Sequence, residues 1–195
     1  MAISPGPGVF YIVTRSVTQG KRLGLASVAG VACGNFGNAL GASFGLATVF
    51  VVSALAFSVV KYAGAAYLIY LGVKALSSPA SKPDDPALPK SVFLRKTFTD
   101  GFIVALLNPK TAMFYVAFLP QFVDAPEHAL AQTLLLSGIF VLIAATTDSI
   151  YALAAGTIRP WLFQKPAIGK AGKYLAGSAF IGLGILAATS SYRRK

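Results

Sequence analysis

The chain has 195 residues, of which 55% are hydrophobic and 12% charged, with a mean hydropathy of +0.68. At that length, membrane spans use most of the chain and leave no room for a separate soluble domain of ordinary size. The formal net charge of +11 would suggest nucleic acid in a soluble protein, but in so apolar a chain it reads as basic cytoplasmic loops, and no nucleic-acid partner is expected.

Apolar segments lie at about 2–14, 23–46, 55–76, 98–120, 130–157 and 174–190. A spanning helix needs about 20 mostly apolar residues at a rise of about 1.5 Å each. The first segment reaches only about 20 Å against a hydrocarbon core of about 30 Å, so it is a half-span or lacks upstream residues. It shows no basic n-region or small-residue cleavage site of a signal peptide. Within it, Pro5-Gly6-Pro7-Gly8 removes two backbone donors and adds two flexible residues, so no regular helix can run through. In lipid such a break must face protein or a watery cavity.

The second segment belongs to a run, Leu23 to Val60, without a charged side chain. Gly30, Gly34, Gly37 and Gly41, at near four-residue spacing, predict close helix packing. Cys33 is the single cysteine and allows neither an intrachain disulfide nor a CxxC pair. Asn35 and Asn38 sit near mid-depth, placed to bond a neighbouring helix or a substrate. In the third segment Lys61 lies toward the external end, where a lysine snorkels.

Pro79 to Pro89 reads PASKPDDPALP and can neither continue a helix nor build a core. Residues 78–96 are therefore read as a cytoplasmic linker between two three-helix units, 1–77 and 97–195. The fourth segment carries Asn108-Pro109-Lys110. Pro109 frees the carbonyl of Ala105, for which the Asn108 amide can substitute as donor. Lys110 lies about 15 Å inside the segment, a costly depth for an ammonium that demands a cavity or a partner. In the fifth segment Asp148 reads as the only acidic residue well inside an apolar stretch. Such carboxylates serve as proton relays or cation partners; the alternative is a structural ion pair with Lys110 or Lys61.

Loop charges alternate. Arg15, Lys21 and Arg22 follow the first segment, none follows the second, and Lys82, Asp84, Asp85, Lys90, Arg95 and Lys96 follow the third. Asp124, Glu127 and His128 follow the fourth, and Arg159, Lys165, Lys170 and Lys173 the fifth. Basic loops on one side and neutral or acidic ones on the other are what a polytopic chain should show, although Arg193, Arg194 and Lys195 run against the pattern.

The two units also resemble each other. KYAGAAYLIYLG from Lys61 and KYLAGSAFIGLG from Lys173 share Lys, Tyr, Ile, Leu and Gly without a gap, and each unit has an intramembrane breaker near its start. An odd number of spans per unit puts the second copy upside down. The expected fold is thus an all-α integral membrane protein of about six transmembrane helices. They form two inverted three-helix repeats with Pro-interrupted helices, the first helix truncated. That plan belongs to secondary transporters, whose site lies near the midplane between repeats.

No metal cluster, no nucleophile with a base and no phosphate-binding loop can be assembled, so the chain is not read as an enzyme and no cofactor is expected. A membrane enzyme would have only Asp124, Glu127 and His128 to use, a transmembrane electron carrier would need paired cysteines, and a metal-ion transporter would want more carboxylates or histidines than Asp148 supplies. Transport of another small solute or cation is the runner-up.

PGPGVFYIVTRSVTQGKRLGL from Pro5, KYAGAAYLIYLG, and GFIVALLNPKTAMFYVAFLPQF from Gly101 resemble the lysine-exporter (LysE/RhtB) family, in the expected order and over essentially the whole chain. The resemblance implies a multi-pass exporter of amino acids or related metabolites in the bacterial inner membrane, driven by the proton-motive force and often homodimeric. It also implies about a dozen further apolar residues ahead of the PGP motif. The substrate site expected from these readings comprises Pro5, Gly6, Pro7, Gly8, Asn35, Asn38, Asn108, Pro109, Lys110 and Asp148. Free amides at the two broken-helix N-termini, with Lys110, would hold the substrate carboxylate. Asp148 would meet its ammonium or a proton, one at a time, which favours neutral amino acids over basic ones.

Overall fold

The computed structural model describes residues 6–44, 54–77, 90–123, 128–162 and 166–189, and all regular structure among them is helical. The elements are α1 (Pro7–Gln19), α2 (Lys21–Ser43), α3 (Ala54–Ser77), α4 (Lys90–Leu106), α5 (Pro109–Phe118) with a 3-10 turn (Leu119–Phe122), α6 (Ala129–Leu162) and α7 (Pro166–Thr189). Pro5, the prolines of the linker and Arg193 to Lys195 lie outside the described residues.

Local chemistry sets the helix ends. Pro7 opens α1, a position where its missing N–H costs nothing and its fixed φ is already helical. Gly20, at φ 91°, ends α1 and caps α2 in one residue, a conformation that L side chains rarely adopt. Its N–H donates to Ser16 O at 2.9 Å, and the two helices form a tight hairpin. Arg15, expected in the loop, is therefore inside α1, and Arg95, Lys96 and Arg159, likewise expected in loops, lie within α4 and α6. Of these, Arg15 pairs with Asp100 and Arg159 Nε donates to Thr18 O, while Arg95 and Lys96 are exposed.

Three helices are long and apolar enough to cross a membrane: Lys21–Ser43, Leu55–Ser77 and Ala129–Pro160. A fourth span forms if Phe93–Leu106 and Pro109–Phe118, bent by 54° at the break between them, count as one. Tyr174–Thr189 is apolar but shorter, and α1 has only 13 residues. Leu135, Leu142, Ile150 and Leu153 of α6 and Leu175, Ile185 and Leu186 of α7 stand exposed on the outside, the surface a lipid-facing helix presents.

Between helices in lipid the contacts must come from close packing, because the surroundings are as apolar as the side chains. On α2, Gly30 abuts the carbonyl of Phe98, Gly34 that of Phe102, and Asn38 bonds Ala105, so α2 and α4 run parallel. Of the expected glycine stripe, Gly37 meets only the Leu106 side chain and Gly41 nothing within 4 Å. α1 runs parallel to α6: Gly8 and Asp148 line one space at one end, while Gly20 lies against Arg159 and Gly156 against Lys21 at the other.

The pair α3 and α7 is antiparallel, and its contacts exchange the matching residues of the two units. A Cβ on Gly72 would meet Ile181 Cγ1 at 2.6 Å and Gly177 O at 2.7 Å. A Cβ on Gly184 would meet Ile69 Cγ1 at 2.6 Å and Ala65 O at 2.8 Å. In the ungapped match of the two units, Gly184 corresponds to Gly72, Ile181 to Ile69 and Gly177 to Ala65. Tyr11, Ile12, Val28, Leu68, Val104 and Phe180 fill the core where α1 to α4 and α7 meet.

Candidate functional site

The break between α4 and α5 is built on hydrogen bonds of two asparagines, Asn38 and Asn108. Pro109 has no N–H to give Ala105 O, and that carbonyl instead accepts from the backbone N–H of Asn108 at 3.1 Å and from Asn38 Nδ2 at 2.8 Å. The Asn108 side chain does not serve Ala105. Its Oδ1 accepts from the N–H of Lys110 at 3.1 Å, while its main-chain O accepts from Thr111 at 3.1 Å and Ala112 at 3.3 Å. Asn108 thus caps α5 itself. The free amides expected there are already used, and α5 contributes its positive N-terminal potential. α1 is different: Gly6 supplies no side-chain cap.

Between these two helix starts lies a cavity of about 70 Å³. Gly6, Gly8 and Val9 line it from α1, Val31 and Asn35 from α2, Asn108, Lys110, Thr111 and Phe114 from the break, and Phe140, Ala144 and Asp148 from α6. Asp148 is 5% exposed, and its Oδ1 is buried without a hydrogen-bond partner. It shares the cavity with Lys110 without forming an ion pair, so the structural pairing considered for it is absent among the described residues. Phe114 and Phe140, with ring centroids 4.5 Å apart, form part of the cavity wall.

Toward the basic ends sits a charged cluster that the sequence reading passed over. Arg15 Nη2 donates to Asp100 Oδ2 at 3.0 Å, and Arg15 Nε donates to the Tyr11 hydroxyl at 3.2 Å. Tyr67 OH donates to Asp100 Oδ1 at 3.1 Å, and Tyr11 OH to Thr97 O at 2.9 Å. The cluster ties α1, α3 and α4 together, and with the ion pair 18% and 10% exposed it is largely out of solvent.

The sequence profile of the family described as LysE type translocator matches residues 1–191. The chain belongs to the LysE-type translocator family. It is 33% identical over 192 residues to the homoserine/homoserine lactone efflux protein of Salmonella typhimurium, covering 98% of this chain and 92% of the relative. It is 29% identical over 190 residues to the leucine efflux protein of Salmonella choleraesuis, covering 97% and 90%. Both names describe efflux, not catalysis. No solved structure matches.

In this LysE-type chain the fold brings Gly6, Gly8, Asn35, Asn108, Lys110 and Asp148 around one space. Pro7 and Pro109 line a neighbouring cavity instead. Asn38 lines neither cavity, because its amide is spent on Ala105 O. Pro5 is outside the described residues. The missed pair had a faint signal: Asp100 is an acidic residue two positions inside the fourth apolar segment, and Arg15 one position past the first.

Proposed function

We propose that this protein exports small neutral amino acids across the bacterial inner membrane in exchange for protons. The observation that carries the reading is the shared cavity. It sets Lys110 and two helix N-termini against a buried carboxylate with an unpartnered oxygen, the arrangement a zwitterion requires. The amides of Gly8 and Val9 in the uncapped first turn of α1, with the Lys110 ammonium, would hold the substrate carboxylate. Asp148 would hold the ammonium. A bare carboxylate in that position is costly, so on the return step it carries a proton. Competition of proton and substrate for one group makes the exchange obligatory.

Homoserine and leucine, named for the two relatives, both carry uncharged side chains, in keeping with a single carboxylate in the cavity. The helix pairing is in keeping with two inverted three-helix units, a plan that would support the same reading. Parallel α2 and α4 correspond to parallel α1 and α6, and the Gly72 and Gly184 contacts exchange matched residues across antiparallel helices. That is what a two-fold axis in the membrane plane produces. The basic residues Lys21, Arg159 and Lys96 at one end put that end in the cytoplasm. On this side the Arg15–Asp100 cluster is the seal that must open for loading. Homodimerisation, implied by the resemblance, belongs to the same proposal.

The test is efflux from proteoliposomes loaded with a mixture of amino acids under an imposed pH gradient. The parent should release neutral amino acids faster with the gradient than without it, and Asp148→Asn should show no such acceleration. Equal gradient-driven efflux in the variant would overturn the role of Asp148.

A further inference from the structure

A second cavity, of about 220 Å³, lies on the other side of the two helix starts, between α1, α3, α4, α5 and α7. Gly6, Asn108 and Lys110 line both cavities, so these residues are a shared wall rather than two separate ones. The two spaces differ sharply in chemistry. The smaller one holds Asn35, Thr111 and Asp148. The larger is walled by Leu68, Val104 and Leu183, with the exposed Phe10 and Leu186 at its outer edge.

We infer that the larger cavity receives the substrate's side chain, and that Leu68 and Leu183 set which side chains are accepted. This rests on the reading of the smaller cavity as the seat of the α-amino and carboxylate groups. A zwitterion held at Gly8, Lys110 and Asp148 directs its side chain away from the Asp148 carboxylate, and the larger cavity, which shares Gly6, Asn108 and Lys110 with the smaller, adjoins that position. An apolar cavity of about 150 Å³ admits benzene, so this one has room for a branched aliphatic or an aromatic side chain. Among the described residues its charged lining residues are Lys61 and Lys110, and none is a carboxylate. A cationic side chain is repelled there, and an acidic one would lose hydration among leucines. The substrate class is therefore α-amino acids with apolar side chains, with lysine, arginine and glutamate rejected.

The experiment measures leucine and alanine efflux side by side from proteoliposomes under the same pH gradient. Leu183→Phe fills the larger cavity and should lower the leucine-to-alanine ratio about tenfold, the effect of roughly 1.4 kcal/mol. Leu183→Ala enlarges it and should shift the ratio the other way, toward phenylalanine and other bulky substrates. The opposite signs separate this effect from misfolding, which would depress all substrates together in both variants. An unchanged ratio in both variants, with gradient-driven efflux intact, would overturn the inference and leave the export reading standing; that result would also be expected if a lipid chain occupied the space. A parent protein that releases no amino acid under the gradient would overturn the export reading and this inference with it.

Discussion

Arg15 and Asp100 meet at 3.0 Å although 85 positions separate them, and each of the other bonds of the pair ends on a tyrosine. Both carboxylate oxygens of Asp100 and two nitrogens of Arg15 are engaged, which favours a largely buried ion pair. It also sits between the cavity and the basic ends of the helices. These bonds join α1, α3 and α4 through side chains alone.

Removing one partner leaves the other charge uncompensated. Arg15→Met or Asp100→Leu alone should lower stability by about 3–5 kcal/mol, whereas the double replacement should cost much less than the sum. Thermal unfolding of the detergent-solubilised protein checks this. Additive losses would mean that the two side chains are not energetically coupled.

Asn38 and Asn35 lie on the same helix but do different work. Asn38→Leu removes a donor from Ala105 O and should cost about 1–2 kcal/mol of stability, with little change in the relative efflux of different amino acids. Asn35→Leu should instead raise KM, because that residue lines the cavity. Melting curves and transport kinetics on the two variants separate the roles.

Lys110 is proposed to hold the substrate carboxylate. Lys110→Met should therefore raise KM about tenfold or more, the size of a charged hydrogen bond of about 1.5–3 kcal/mol. Competition by an amino alcohol, which has no carboxylate, should be far less affected. A similar loss for both competitors would place Lys110 outside the carboxylate's reach.

If protons and substrate share Asp148, they compete. The apparent KM on the loading side should rise as pH falls, since protonation removes the charge that meets the ammonium. In Asp148→Asn the KM should be high and insensitive to pH. Initial efflux rates across a pH series, at constant gradient, give the comparison.

The α3–α7 contact predicts equal sensitivity at two matched positions. Gly72→Val and Gly184→Val each force a side chain into the backbone of the facing helix and should be similarly and severely destabilising. Gly41→Ala, with nothing within 4 Å, should be close to neutral. Melting temperatures of the three variants are the measurement.

Much of this protein is written in local sequence. The uncharged run from Leu23 to Val60 requires a membrane, since only there is unbroken apolar sequence stable outside a core. Pro7 and Pro109 each stand at the first position of a helix, where a residue without an N–H breaks no bond of the ladder. Asp148 and Lys110 stood out for the same reason, as charges at depths where lipid does not tolerate them.

What the sequence could not assign is partnership. Whether Asn38 or the Asn108 side chain satisfies Ala105 depends on α2 lying parallel to α4 at glycine-to-carbonyl distance, a fact of packing between segments far apart in the chain. Arg15 read as a loop charge because its partner, Asp100, is supplied only when α1 and α4 come together. Local chemistry decides where a helix breaks and which residues are out of place in lipid; only the packed bundle decides which of them face one another, because each contact is made by residues that know nothing of each other along the chain.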